Sequence, residues 1–187
     1  TDITDNKLQK QMLTKMASTD SLTGLLNRQS ALPAIRAYLA QGAWSSAALI
    51  MFDLDNFKMA NDVFGHDFGD SMIVQNARKL KSYFRSEDIV CRMGGDEFII
   101  LCKNISEKDI EAKLNRIVDE MSVTRRGEGK DITFSISAGY VMIPEQGINF
   151  DELYHKADIA LFAAKMCGKC AYRKYEPSMK SIRIELA

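Results

Sequence analysis

The stretch Met93-Gly94-Gly95-Asp96-Glu97-Phe98 restricts the fold more than any other part of this chain. It lies between two apolar runs, Ile89-Val90-Cys91-Arg92 and Phe98-Ile99-Ile100-Leu101-Cys102. Apolar run, Gly-Gly turn, apolar run predicts a β-hairpin, because a tight turn needs positive φ and glycine supplies it without steric cost. Carboxylates are poor strand residues and costly beside a buried sheet. Asp96 and Glu97, directly after the turn, therefore point to a positive partner, a metal ion foremost. The glycines let a bulky anion approach the backbone.

A second acidic pair has the same setting. Ala47-Ala48-Leu49-Ile50-Met51-Phe52 is a continuous apolar run of strand length, followed by Asp53-Leu54-Asp55. Asp53 is thus expected at the carboxyl end of a buried strand. Asp55 falls on the same side if the extended conformation continues. Asp53, Asp55, Asp96 and Glu97 can then converge at one edge of one sheet. Ligation by oxygen alone suits Mg²⁺ or Mn²⁺ rather than Zn²⁺. Either pair alone reads equally well as surface turn acids; two pairs, each flanked by a buried strand, favour a site.

The remaining pattern is alternating. Helices are expected at about 28–40, 68–84, 107–122 and 150–166. Strands are expected at about 47–53, 88–93, 97–102 and 132–143, with a short one near 171–175. This order fits an α+β sandwich with a largely antiparallel sheet. The 187 residues suit one domain, and 25 basic against 25 acidic side chains give no excess for a nucleic acid polymer. No apolar stretch approaches a membrane span and no signal peptide is visible, so a cytoplasmic location is expected. Residue 1 is not methionine, so a longer, membrane-tethered parent is compatible with this reading.

The motifs together resemble the GGDEF domain of bacterial diguanylate cyclases over about residues 18 to 176. Asp20-Ser21-Leu22-Thr23-Gly24-Leu25-Leu26-Asn27-Arg28 is similar to that family's opening segment. Phe52-Asp53-Leu54-Asp55-Asn56-Phe57-Lys58, Asn61-Asp62, Gly65-His66 and Gly69-Asp70 match its next stretch, and Ala157-Asp158, Ala164-Lys165 and Gly168-Lys169 its closing helix and phosphate loop. The resemblance implies a nucleotide-cyclase palm, with a mostly antiparallel five-stranded sheet surrounded by helices. It implies condensation of two GTP into cyclic di-GMP with release of two pyrophosphates, by a homodimer. A catalytically silent domain that binds GTP or cyclic di-GMP as a relay module is the alternative.

By the same resemblance, Asp53, Asp96 and the Leu54 carbonyl hold metal, two Mg²⁺ or Mn²⁺ per half-site. Glu97 joins a second metal or assists deprotonation of the attacking hydroxyl, and Asp55 is a weaker ligand candidate with a structural alternative. Backbone N–H groups at Asn56 and Phe57, with Lys165 and Lys169, are expected to contact the triphosphate. Lys169 stands where arginine is common in the family. Asn61 and Asp70 are expected to read guanine; the bland alternatives are helix capping for Asn61 and the N-terminal turn of the next helix for Asp70. Arg85-Ser86-Glu87-Asp88 matches an R-x-x-D inhibitory product site, with Arg116 as a partner arginine from a neighbouring helix or subunit. Residues 1–17 resemble the exit of a PAS-type sensor domain leading into a signalling helix, and 177–187 form a tail. Cys91 and Cys102 read as core. Cys167-Gly168-Lys169-Cys170 is formally C-x-x-C, but it closes a helix, where the dipole disfavours thiolate.

Overall fold

The computed structural model describes residues 18–42, 45–127 and 129–179. The expected signalling helix at 1–17 and most of the tail lie outside the described residues. The chain runs β1 (Leu26–Asn27), α1 (Arg28–Gln41), β2 (Ala47–Asp55), α2 (Phe57–Phe64), α3 (His66–Tyr83), β3 (Ile89–Gly94), β4 (Glu97–Lys103), α4 (Glu107–Glu120), β5 (Val123–Gly127), β6 (Lys130–Ile143), α5 (Phe150–Met166) and β7 (Tyr172–Lys174).

Every residue of β2 is buried. A strand covered on both faces must lie centrally, and β2 does: the order is β1-β3-β4-β2-β6-β5, with β7 also pairing with β6. Among the described residues only β1 with β3 and β6 with β7 run parallel. The α+β, mostly antiparallel palm-like architecture is as expected, but the sheet has seven strands rather than five. Two strands are additions. β1 is two residues long, and β5 (Val-Thr-Arg-Arg-Gly) contains a single large apolar residue, so neither carries a strand pattern of its own. β5 exists because β6 extends far enough to pair with it, from Val123↔Phe134 to Gly127↔Lys130.

Alternation along β2 divides the core. Ala48, Ile50, Phe52 and Leu54 face Ile73, Ala77 and Leu80 of α3 and Ile110, Leu114 and Ile117 of α4. Ala47, Leu49 and Met51 face Ile35 of α1 and Leu153, Ala157 and Ala160 of α5. Helices thus cover both faces. Asn27, Ser106 and Asn149 cap α1, α4 and α5 with side-chain oxygens on the first-turn N–H groups. The helix expected at 68–84 starts earlier, at His66, and follows the separate helix α2 across Gly65 (φ 86°).

Helix α5 lies on β6 at one special point. A Cβ added to Gly139 would stand 2.1 Å from the Leu161 nitrogen and 2.2 Å from the Ala157 oxygen, both backbone atoms of α5. Backbone cannot rotate away as a side chain can. Gly139→Ala is therefore expected to lower stability by about 1–3 kcal/mol, the usual range for overpacking, read as a fall in Tm on thermal denaturation. An unchanged Tm would contradict this packing.

Candidate active site

The two acids at the end of β2 have different jobs. Asp53 is 8% exposed, and Lys165 near the end of α5 donates from Nζ to its Oδ1. Burial pushes its carboxyl up to about 6; Lys165 pulls the other way, and the charges of Asp96 and Glu97 add to the rise. Asp55 is fully enclosed. Its oxygens receive Ser135 Oγ at 2.6 Å, Ser137 Oγ at 2.9 Å and the Cys170 backbone N–H at 3.0 Å. With its acceptors engaged, Asp55 serves as an anchor. It leaves the expected four-acid cluster and ties the loop after α5 to the sheet.

The hairpin turn differs by one residue from the expected Gly-Gly. Arg92 pairs with Phe98 and Gly94 with Glu97, so Met93 is an extra residue and the two turn positions are Gly95 and Asp96. Gly94 (φ 144°) and Gly95 (φ 53°) supply the left-handed backbone. The Asp96 carbonyl accepts from Leu54 N at 3.2 Å, and Asp53 faces Glu97 across the β2–β4 ladder. Asp53, Asp96 and Glu97 are thus brought to one end of two adjacent strands.

A residue that the motif reading passed over holds this turn. Arg92 donates from Nε and Nη2 to the Gly95 carbonyl at 3.0 and 2.8 Å, and from Nη1 to both oxygens of Asp20 at 3.1 Å. Asp20 also accepts from Thr23 N and Oγ1 at 2.9 and 2.7 Å. These hydrogen bonds hold its carboxyl below the usual range although burial opposes them. The signal was in the sequence: an arginine inside an apolar strand needs an anion nearby.

Asp53, Leu54, Asp96 and Asp62 line a cleft of about 460 Å³ together with Asn56, Phe57 and Lys58 and with Lys165 and Lys169. Asn56 has left-handed backbone (φ 61°) and provides no side-chain cap to α2. Its amide donates to Thr133 O at 2.7 Å and accepts from Lys169 Nζ at 2.8 Å. The first residues of α2 line the cleft and carry no side-chain cap, an arrangement suited to anions.

Asn61 and Asp70 sit beside this cleft rather than in its wall. Asn61 Oδ1 is buried and has no hydrogen-bond partner among the described residues. It packs on Gly69, where an added Cβ would come within 1.9 Å of it. An orphaned buried acceptor costs free energy unless a ligand satisfies it. Asp70 is exposed on the adjoining turn of α3.

The R-x-x-D residues are on the other edge of the hairpin. Asp88 is 5% exposed. Its Oδ2 accepts from Arg85 N at 2.8 Å and its Oδ1 from Lys103 N at 2.9 Å. In this conformation the carboxylate closes the 85–88 turn on β4 instead of facing out. The Arg85 guanidinium is exposed, 3.9 Å from Glu87. Arg116, on α4, pairs with Glu120 at 2.7 Å and lies over Tyr83. Asp88 and Arg116 line separate depressions in this chain.

The donor set is compatible with a hydrated divalent cation. Among the described residues no three His, Cys, Asp or Glu side chains already form a metal cage. Mg²⁺ does not require one: it keeps waters and binds through one or two carboxylates plus substrate phosphates. The Lys165 ammonium already places a cation on Asp53. Asp53 and Asp96, with the Leu54 carbonyl, are the groups that would hold the ion.

Asp53 has a consequence for metal-free stability. Its folded carboxyl retains a proton up to about pH 6, whereas the ordinary value is 3.8. The fold then binds more protons than the unfolded chain between those values. Its contribution is fully present below the unfolded value and is lost as pH rises through the folded one. In a chelator, Tm is expected to decline across about pH 4–6 relative to Asp53→Asn, which cannot titrate. At pH 7 Asp53→Asn should melt about 2–4 °C higher, equivalent to roughly 1 kcal/mol. Parallel curves for the two proteins would count against a strained Asp53.

The family profile described as "Diguanylate cyclase, GGDEF domain" matches residues 17–170. The cyclic di-GMP phosphodiesterase PdeR of Escherichia coli K12 is 32% identical over 179 residues, 96% of this chain and 27% of PdeR. The bifunctional diguanylate cyclase/cyclic di-GMP phosphodiesterase MucR of Pseudomonas aeruginosa PAO1 is 30% identical over 171 residues, 90% of this chain and 25% of MucR. The chain thus spans about a quarter of these relatives. A solved structure of the isolated GGDEF domain of TpbB (YfiN), also from Pseudomonas aeruginosa PAO1, superposes with a TM-score of 0.77 at 30% identity, covering 89% of this chain and 99% of that one. Fold, acidic turn and sequence agree, and the chain belongs to the GGDEF domain family.

Proposed function

We propose that this domain is an active diguanylate cyclase, joining two GTP into cyclic di-GMP as a homodimer. The observation that carries the reading is one cleft lined together by Asp53, Asp96, Lys165, Lys169 and the uncapped start of α2. Phosphoryl transfer asks for positioning and charge neutralisation more than covalent help. A cleft lined by acids, lysines and the first residues of a helix offers both.

Bound divalent ions would lower the pKa of the attacking 3′-hydroxyl and offset charge on the leaving pyrophosphate. Lys165, Lys169 and the first N–H groups of α2 bind the triphosphate. Asn61 Oδ1 and the Asp70 carboxylate accept from guanine N1–H and N2–H, a donor pair that adenine lacks. Glu97 is exposed beside Asp53 and is the acid free to receive the 3′-hydroxyl proton. As the new bond to the α-phosphorus forms, the bond to the β-phosphate oxygen breaks and pyrophosphate departs. Each site holds one GTP, so closure of the ring needs two sites face to face. Product feedback through the exposed Arg85 belongs to the same proposal, with Asp88 holding the turn that presents it and Arg116 as a second contact.

Incubation with GTP and Mg²⁺, followed by mass identification of products, tests the reading. Cyclic di-GMP is expected from GTP and not from ATP. Asp53→Ala or Asp96→Ala should lower the rate at least about 10³-fold, the scale of losing electrostatic stabilisation at a transition state, with the far-ultraviolet circular dichroism unchanged. Binding of cyclic di-GMP with no turnover by the unaltered protein would instead identify a silent relay module.

Assembly has its own signature. The rate per protomer should rise with protein concentration and level off once the dimer dominates. A constant rate per protomer, in samples monomeric throughout by sedimentation, would exclude the two-site mechanism.

A further inference from the structure

The turn leaving α5 contains two thiols around a cleft-lining lysine. Cys167 and Cys170 are both exposed, whereas Cys91 and Cys102 are buried. Burial pushes the thiols of those inner cysteines up to about 12, so an oxidant in solution meets only the outer pair. The chain bends sharply here. Cys167 ends α5 in near-helical backbone, and Gly168, Lys169 and Cys170 follow with φ of 111°, 65° and 47°.

Two of those residues are not glycine, and left-handed backbone is unfavourable for them. The turn is held from outside. Cys170 N–H binds Asp55 at 3.0 Å and Lys169 Nζ binds Asn56 at 2.8 Å. The Cys170 thiol itself makes only a weak 3.9 Å contact with the Val118 carbonyl, which it can leave. The two thiols are exposed and three positions apart around a tight bend, and Lys169 lies inside the ring that a disulfide between them would close.

We propose that Cys167 and Cys170 form a reversible modification site, a dithiol that a peroxide closes to a disulfide, drawing Lys169 away from the cleft and weakening triphosphate binding. The dipole at the end of α5 disfavours thiolate, so the reaction relies on the exposure of the pair. One sulfur, as thiolate, attacks a peroxide oxygen; the O–O bond breaks, water leaves and a sulfenic acid remains. The second sulfur attacks the first; the S–S bond forms, the S–O bond breaks and a second water leaves. Two thiols have lost two hydrogens, and hydrogen peroxide has become two waters. A ring with its Cα atoms held about 4.4–6.8 Å apart fixes the backbone on either side of Lys169. Lys169 Nζ reaches Asn56 from this loop, so a constraint on the loop bears directly on that contact. The effect on nucleotide rests on the cyclase reading; the disulfide does not.

The test treats the reduced 187-residue protein with equimolar hydrogen peroxide, then maps its peptides by mass and measures affinity for a fluorescent GTP analogue. Expected are loss of two hydrogens across Cys167 and Cys170, free Cys91 and Cys102 after unfolding, and a roughly tenfold weaker affinity. Dithiothreitol should restore the affinity, and Cys167→Ser should keep it through peroxide treatment. Sulfinic acids or cross-linked dimers in place of the internal disulfide would overturn the site. An internal disulfide with unchanged affinity would overturn its coupling to Lys169. If the reduced protein binds no GTP analogue yet forms the disulfide, the nucleotide reading fails and the modification site stands.

Discussion

Everything else in this domain is arranged around a strand that water cannot reach from either face and that nevertheless ends in two carboxylates. Nine consecutive buried residues force β2 into the middle of the sheet and demand helices on both sides. The same burial makes the terminal charges expensive, and the fold answers in two ways. Asp55 is surrounded by two serine hydroxyls and a backbone N–H and becomes an internal fastening. Asp53 receives one ammonium and stands beside two more acids, which leaves it short of positive charge. A group in that condition is a good cation ligand for the reason that it is a poor structural residue.

The hairpin solves a related problem. Its turn must hold acids at a fixed height above β2 while being made largely of glycine. Arg92 supplies the stiffness that the glycines lack, by bonding twice to the Gly95 carbonyl and bridging to Asp20 near the start of the described chain. The guanidinium side chain is only 12% exposed, so this bridge is screened less than a surface pair would be.

Much of this was legible in the residues. β2, the hairpin and the four long helices follow from apolar runs and periodicity, and the acids stand out because they end buried strands. What escaped depends on partners. β5 has no apolar pattern and is a strand only because β6 lies beside it. The turn shifted by one residue because Met93 bulges, and a Gly-Gly pair does not say which of its members sits at the corner. An R-x-x-D spacing likewise says nothing about where the carboxylate faces, and here Asp88 turns inward to backbone N–H groups. The Cys170 N–H on Asp55 is a main-chain donor, invisible to any motif.

The missing side chain at Gly139 makes strand and helix a single plate. With α5 lying directly on β6, neither can slide without the other, and Lys165 travels with the sheet that carries Asp53. The meeting of ammonium and carboxylate is therefore set by how α5 lies on the sheet. Polar groups set in place by the scaffold need little reorganisation when charge shifts between them. Of the three lysines that line the cleft, Lys165 is carried by α5 and Lys169 by the loop after it, so between these two the division falls where the helix stops.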